Sequence, residues 1–151
     1  LCENYNFPKK MNYDVEKQFI TSLIIFGSEK SSQLHIVFEK INMDDFFNKE
    51  YQELFLAIKN IHEKGRGINI LTIHEEMGSK NEIAIKISEL TNDEIGIMPL
   101  EMARILKKRS LMYCMRQKDS VDNWGKINEM KQSLEDIRVG EVLGKMGNVF
   151  G

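Results

Sequence analysis

Apolar residues return every three or four positions along most of this chain, and the run of such stripes predicts one helix after another. Asp14 is placed to cap a first helix carrying Val15, Phe19, Leu23 and Phe26, with Gly27 as its stop. Leu34, Val37, Phe38 and Ile41 form a second stripe after Ser31 and Ser32. A short turn at Asp44-Asp45-Phe46-Phe47 precedes Asn48, which should cap a helix with Tyr51, Leu54, Phe55, Ile58, Ile61 and His62 on one face, ended by Gly65. Asn69 is the expected cap of a short helix through Ile70, Ile73 and Met77. Ile83, Ile85 and Ile87 alternate like a strand, but Ile83, Ile87 and Leu90 also fit a helix, and no second strand offers itself as partner. Pro99 suits the first turn of a long helix through Cys114, and Ile127, Met130, Leu134 and Ile137 stripe another beyond Gly125.

These stripes predict an all-α protein with a compact head and a trailing helical hairpin. The expected division is a leader arm over 1–13, the head over 14–97, the hairpin over 98–138 and a glycine-rich linker or tail over 139–151. At 151 residues the chain can bury a core without disulfides or metal. Its 21 basic and 23 acidic residues give a net charge of −2, which does not favour a nucleic-acid or anionic-membrane binder. Two separated cysteines, Cys2 and Cys114, and the absence of any long apolar run lead to the expectation of a cytoplasmic protein with no membrane partner. Leu1 is not an initiator methionine, so the sequence is expected to belong to something longer.

No catalytic constellation emerges. The Gly140-to-Met146 stretch is one residue short of a phosphate loop and has Met where Ser or Thr must hold Mg²⁺, so no ATPase activity is expected. His74-Glu75 lacks the second histidine of a zinc helix, because Gly78 stands in its place. Asp44 and Asp45 read more simply as helix-dipole partners than as paired catalytic carboxylates. Neither a catalytic group, a metal site nor a cofactor site is therefore expected. The remaining feature is the basic run on the long helix. Arg104, Lys107, Lys108 and Lys118 share one face with Leu111 and Met115, and should be solvated and open to an acidic partner. Exchanging Lys107 and Lys108 for glutamate should then impair docking and leave stability unchanged. Arg109 and Arg116 fall on the apolar side, where a charge needs an ion-pair partner. Apolar stripes at Met102, Ile105 and Leu106 and at Ile127, Met130 and Leu134 suggest weak self-association through the hairpin.

Glu16 to Ile25 resembles the first helix of the N-terminal domain of DnaB-type replicative helicases, a glutamate followed by an apolar stripe. Ile41 to Phe47 resembles the family's leucine and Asp-Phe-aromatic turn, and Tyr51-Gln52-Glu53-Leu54-Phe55-Leu56-Ala57-Ile58 its His-x-x-Ile-Phe-x-Ala-Ile helix. Gly65 to Ile73 is similar to its Gly-x-Pro-Ile-Asp-x-x-Thr-Leu segment, and Lys107 to Leu111 to its arginine-bearing helix. The resemblance runs from about Asp14 to Lys118, with Ile24 for a glycine, Gly67 for a proline and 81–90 in place of a Gly-Gly-x-x-Tyr-Leu stretch.

The resemblance implies an assembly domain that packs against copies of itself in a hexamer and receives primase and sometimes a loader. ATP and Mg²⁺ would belong to a separate helicase motor, so this segment would itself be non-catalytic and touch DNA only weakly. The interaction candidates are Arg104, Lys107, Lys108, Arg109, Leu111, Met115 and Arg116. The expected core is Phe19, Leu23, Phe46, Phe47, Leu54, Phe55 and Ile58, with the two turn phenylalanines plugging the base of the head. The alternative is a stand-alone helical protein, or a primase's helicase-binding domain, that binds and regulates helicase or primase.

Overall fold

The computed structural model describes residues 9–27, 32–78, 98–117 and 122–150 and the single positions 82 and 89, with side chains outside 9–14, 32 and 145–150. The described residues form six α-helices, a 3₁₀ turn and no strand, an all-α fold. Helices α1 (Lys9–Phe26) and α2 (Ser32–Lys40) lead into the turn Met43–Asp45, then α3 (Lys49–Glu63), α4 (Ile70–Glu76), α5 (Pro99–Met115) and α6 (Trp124–Phe150). The ambiguous isoleucine stretch at 83–90 lies outside the described residues.

Local chemistry explains several boundaries. Asn48 accepts from the Glu50 N–H at the start of α3, and Asn69 accepts from the Thr72 N–H at the start of α4. Gly65 closes α3 at φ 73°, a left-handed conformation that costs glycine little. Pro99 occupies the first turn of α5, where its missing N–H is no loss. Two boundaries differ from expectation. Asp14 is not a cap, because α1 already begins at Lys9 inside the supposed leader arm. Gly125 does not interrupt a helix either, since α6 starts one residue before it.

The core joins every element. Phe19, Phe46 and Phe55 meet with ring centroids 5.2–5.9 Å apart, and Phe38 stacks on Phe55. Around them pack Leu23 from α1, Leu54 and Ile58 from α3, Leu100, Met102, Ala103 and Leu106 from α5, and Ile137 from α6. The hairpin follows the head along the chain and packs into it. The first half of α5 and the middle of α6 complete the head's core, and only Leu111, Ile127 and Met130, with Cys114 and Leu134, form a separate small cluster. The stripes assigned to self-association are largely consumed inside the chain.

The expected tail is also revised, because α6 continues through Gly140 and Gly144 to Phe150. Both glycines face α2. A Cβ at Gly140 would stand 2.7 Å from Ile36 Cδ1 and 3.3 Å from Leu100 Cδ2, and one at Gly144 would overlap the Gln33 amide. Their spacing of four puts both on one helix face, so the missing side chains make room for Ile36 and Gln33 of α2. Lys40 and Asp136 add an ion pair of 3.1 Å across the same contact. The hydrogen bond with Asp136 raises the Lys40 pKa above the ordinary lysine value, and Asp136 is lowered by bonds from Gln132 and Lys40. Gly140→Val should cost about 1–3 kcal/mol by overpacking, outweighing its small gain in helix propensity. Urea unfolding checks this, with an unchanged midpoint as the contrary result.

Candidate functional site

The chain's most unusual chemistry lies under the turn at 42–48. Four charged side chains are buried among the described residues, Glu16, Asp45, Lys107 and Arg109, and they are two acids and two bases. Glu16 projects from α1 with no exposed surface. Its Oε1 accepts from the Phe47 and Asn48 N–H groups at 2.9 and 3.0 Å, and its Oε2 accepts from Arg109 Nη1 at 3.1 Å. Arg109 Nη2 donates to the Asp45 carbonyl at 2.7 Å. Asp45 Oδ2 accepts from the Asn42 N–H and from Lys107 Nζ, each at 2.8 Å. Gln52 from α3 donates to the carbonyls of Met43 and Phe46.

The turn is thus tied to α1 and α5 through buried charged groups and to α3 through the half-buried Gln52. Carboxylates and cations sunk in an apolar interior are tolerable only when paired and hydrogen-bonded. Here each charge has an opposite within 3.1 Å.

This corrects the expected solvated face. Lys107 is 1% exposed and paired with Asp45. Leu111 is also buried, within the small hairpin cluster. The reason is the number of neighbours. Helix α5 packs against α1, α2, α6 and the turn together, so it buries an arc of roughly 200° in a helix with ~100° between residues. Ala103 and Ser110 mark the middle of that arc, while Lys107 and Arg109 lie toward its two flanks. Arg109, placed on the apolar side by the sequence pattern, is buried against Glu16.

Of the other interaction candidates, Arg104 is half-buried and bonds Glu141 on α6 through Nε at 2.8 Å. Lys108, Met115 and Arg116 are exposed, and Lys118 lies outside the described residues. The core candidates Phe19, Leu23, Phe46, Leu54, Phe55 and Ile58 are all buried. Phe47 is not a plug, being 41% exposed. One face of its ring takes the Arg109 guanidinium, 4.3 Å from the centroid, and Tyr113 lies against it at 5.2 Å.

In the sequence Asp45 presents itself as a dipole partner and Glu16 as the start of an apolar stripe, and neither pattern carries their joint role. The sequence offers no count that singles them out, since Glu16 is distant from the turn, Asp44 stands beside Asp45 and Lys108 stands between the two cations. What the sequence could not show is that α5 crosses beneath the turn.

The outer surface of this scaffold carries the other notable feature. Val139, Val142 and Leu143 are about half exposed and share the face of α6 opposite Ile137 and Gly140. Met115 and Trp124 are exposed at the end of the hairpin. Among the described residues no set of three or more His, Cys, Asp or Glu side chains is arranged to hold a metal, and no helix is long and apolar enough to cross a membrane.

Comparison with characterised proteins and with solved structures finds no match. Comparison with protein families does find one: the family described as DnaB-like helicase N terminal domain matches residues 8–96. The matched segment contains both buried acids, while both buried bases lie beyond it on α5. With that match spanning more than half of its 151 residues, the chain belongs to the DnaB-like helicase N-terminal domain family.

Proposed function

We propose that this chain is the assembly and partner-docking domain of a replicative DNA helicase. It would associate with copies of itself and receive primase or a loader, with ATP-driven unwinding carried by a separate motor domain and no cofactor held here. The observation that carries this reading is the family match over residues 8–96. The outward apolar face of α6 supports it. Val139, Val142 and Leu143 recur at helical spacing and lie 46%, 52% and 61% exposed, a contiguous apolar stripe of the kind that marks protein contact surfaces. The buried charge clamp contributes differently, by holding α5, and through it α6, in a fixed position on the head. A preorganised surface loses less entropy on association.

The test is sedimentation of the parent and of Val142→Lys with Leu143→Glu over a rising concentration series, with titration of each against primase from the same source. The parent should form larger species and bind primase. The variant should do so more weakly while melting at the parent's temperature, because both side chains are largely exposed. A parent that stays monomeric throughout and ignores primase would refute the reading.

A further inference from the structure

Leu111, Ile127 and Met130 mark the seam along which the far ends of α5 and α6 pack. One side of that seam is turned to the head. There Lys107 reaches Asp45, and Lys126, Glu129 and Ser133 of α6 line a cleft together with that pair. The other side faces away. At ~100° per residue, Leu111 stands between Lys107 and Lys108 on α5, and Ile127 and Met130 stand between Lys126 and Lys131 on α6. Lys108 and Lys131 are therefore both on the outward side. The two helices run in opposite directions, since Arg104 bonds Glu141 while Leu111 meets Ile127 and Met130. One turn back from Leu111 brings Lys108 level with Lys131, and one turn on brings Met115 level with Trp124.

The outward side of the hairpin's far end thus carries two cations abreast, with two apolar side chains beyond them. All four are exposed, Met115 by 51% and Trp124 by 60%. Other cations along α6 are paired: Lys40 with Asp136, Arg104 with Glu141 and Arg138 with Glu135. Lys108 and Lys131 make no hydrogen bond or ion pair among the described residues. The Lys131 ammonium overlies the Trp124 ring, 5.6 Å from its centroid, which joins the charged and apolar parts of the face. Glu135, the acid one turn from Lys131, is already taken by Arg138. Exposed tryptophan and methionine beside uncommitted charge form the composition from which interface hot spots are built.

We propose that this outward face docks a protein segment presenting two carboxylates beside an apolar side chain. The carboxylates pair with Lys108 and Lys131, and the apolar side chain lies against Trp124 and Met115. Charge complementarity selects this occupant over a basic one, which would meet two unneutralised ammonium groups. A nucleic acid fits less well. Two cations neutralise only two phosphates, Lys131 already covers one face of the tryptophan ring, and methionine offers no plane for a base to stack on. Val142 lies eleven residues from Lys131, roughly 16 Å along the helix, so the inference stands apart from the assembly role proposed above.

Trp124 is the single tryptophan, so its fluorescence reports on this face directly. The whole chain is titrated at physiological salt with acetyl-Leu-Glu-Leu-Glu-Leu-amide, with the same peptide carrying glutamine or lysine in place of both glutamates, and with a short oligothymidylate. The glutamate peptide should give a saturable shift at millimolar concentration or below. Its affinity should fall about tenfold or more when both glutamates become glutamine, and equally in the Lys108→Gln, Lys131→Gln double variant. The peptide series on the parent tests the charge requirement without any substitution. Lys126→Gln removes a cation from the other side of α6 and should bind as the parent does. The double variant should melt at the parent's temperature, because both side chains are exposed. Preference for the lysine peptide, an equal response to the glutamate and glutamine peptides, undiminished binding by the double variant, an equal loss with Lys126→Gln, tighter binding of the oligothymidylate, or no saturable shift would each overturn the proposal.

Discussion

Exchange of Lys107 for methionine should lower the stability of this domain by about 3–5 kcal/mol, although the new side chain is apolar and of similar length. The loss comes from the partner. Asp45 stays where it is, 1% exposed, held by the Asn42 N–H, and now carries a buried charge with no cation beside it. For a chain of this size the melting temperature should drop by roughly 10 °C. Lys107→Glu should be worse, because it sets two carboxylates against each other in the interior. The neighbouring Lys108→Glu supplies the control. Lys108 is exposed, and a surface change of that kind should stay within about 0.5 kcal/mol of the parent. Urea unfolding of the three variants decides the matter, and a Lys107→Met protein as stable as Lys108→Glu would mean that the pair contributes nothing. Combining Lys107→Met with Asp45→Asn should recover part of the loss, since the stranded charge is then removed.

Ile58→Asp should be at least as damaging, at about 3–5 kcal/mol or more, and is expected to leave little folded protein. Ile58 has no exposed surface and belongs to the core cluster that also holds Phe19, Phe46 and Phe55. Among the described residues no other basic side chain is buried to receive a carboxylate, and Lys107 and Arg109 are already paired with Asp45 and Glu16. Ile58→Val keeps the shape and should cost only about 0.5–1.5 kcal/mol. Circular dichroism with thermal melting separates the two, and an Ile58→Asp protein melting within a few degrees of the parent would remove Ile58 from the core.

The two predictions differ in how far they depend on the three-dimensional arrangement. Ile58 is legible in the sequence, since a stripe through Tyr51, Leu54, Phe55, Ile58 and Ile61 on one helix has only one way to hide from water. Lys107 is the opposite case. The sequence pattern placed it on a solvated face with Arg104 and Lys108, and that placement failed because it allowed the helix only one covered side. The recurrence of glycine from Gly140 onward suggests a linker or tail. Gly140 and Gly144 are instead on the face where α6 meets α2, and a Cβ at Gly140 would press on Ile36.

By itself the sequence determined the features that short-range physics governs. Helix starts at Asn48, Asn69 and Pro99 and the stop at Gly65 follow from hydrogen bonds and dihedral limits within a few residues. The order of the stripes was also enough to carry the family resemblance. Only the tertiary structure decided which charges are interior and which glycines are contacts. Glu16 lies 93 positions from Arg109, and Asp45 lies 62 from Lys107. Burial at such separations depends on how many neighbours a helix acquires and from which sides, and periodicity along one helix carries no record of a second or third packing partner.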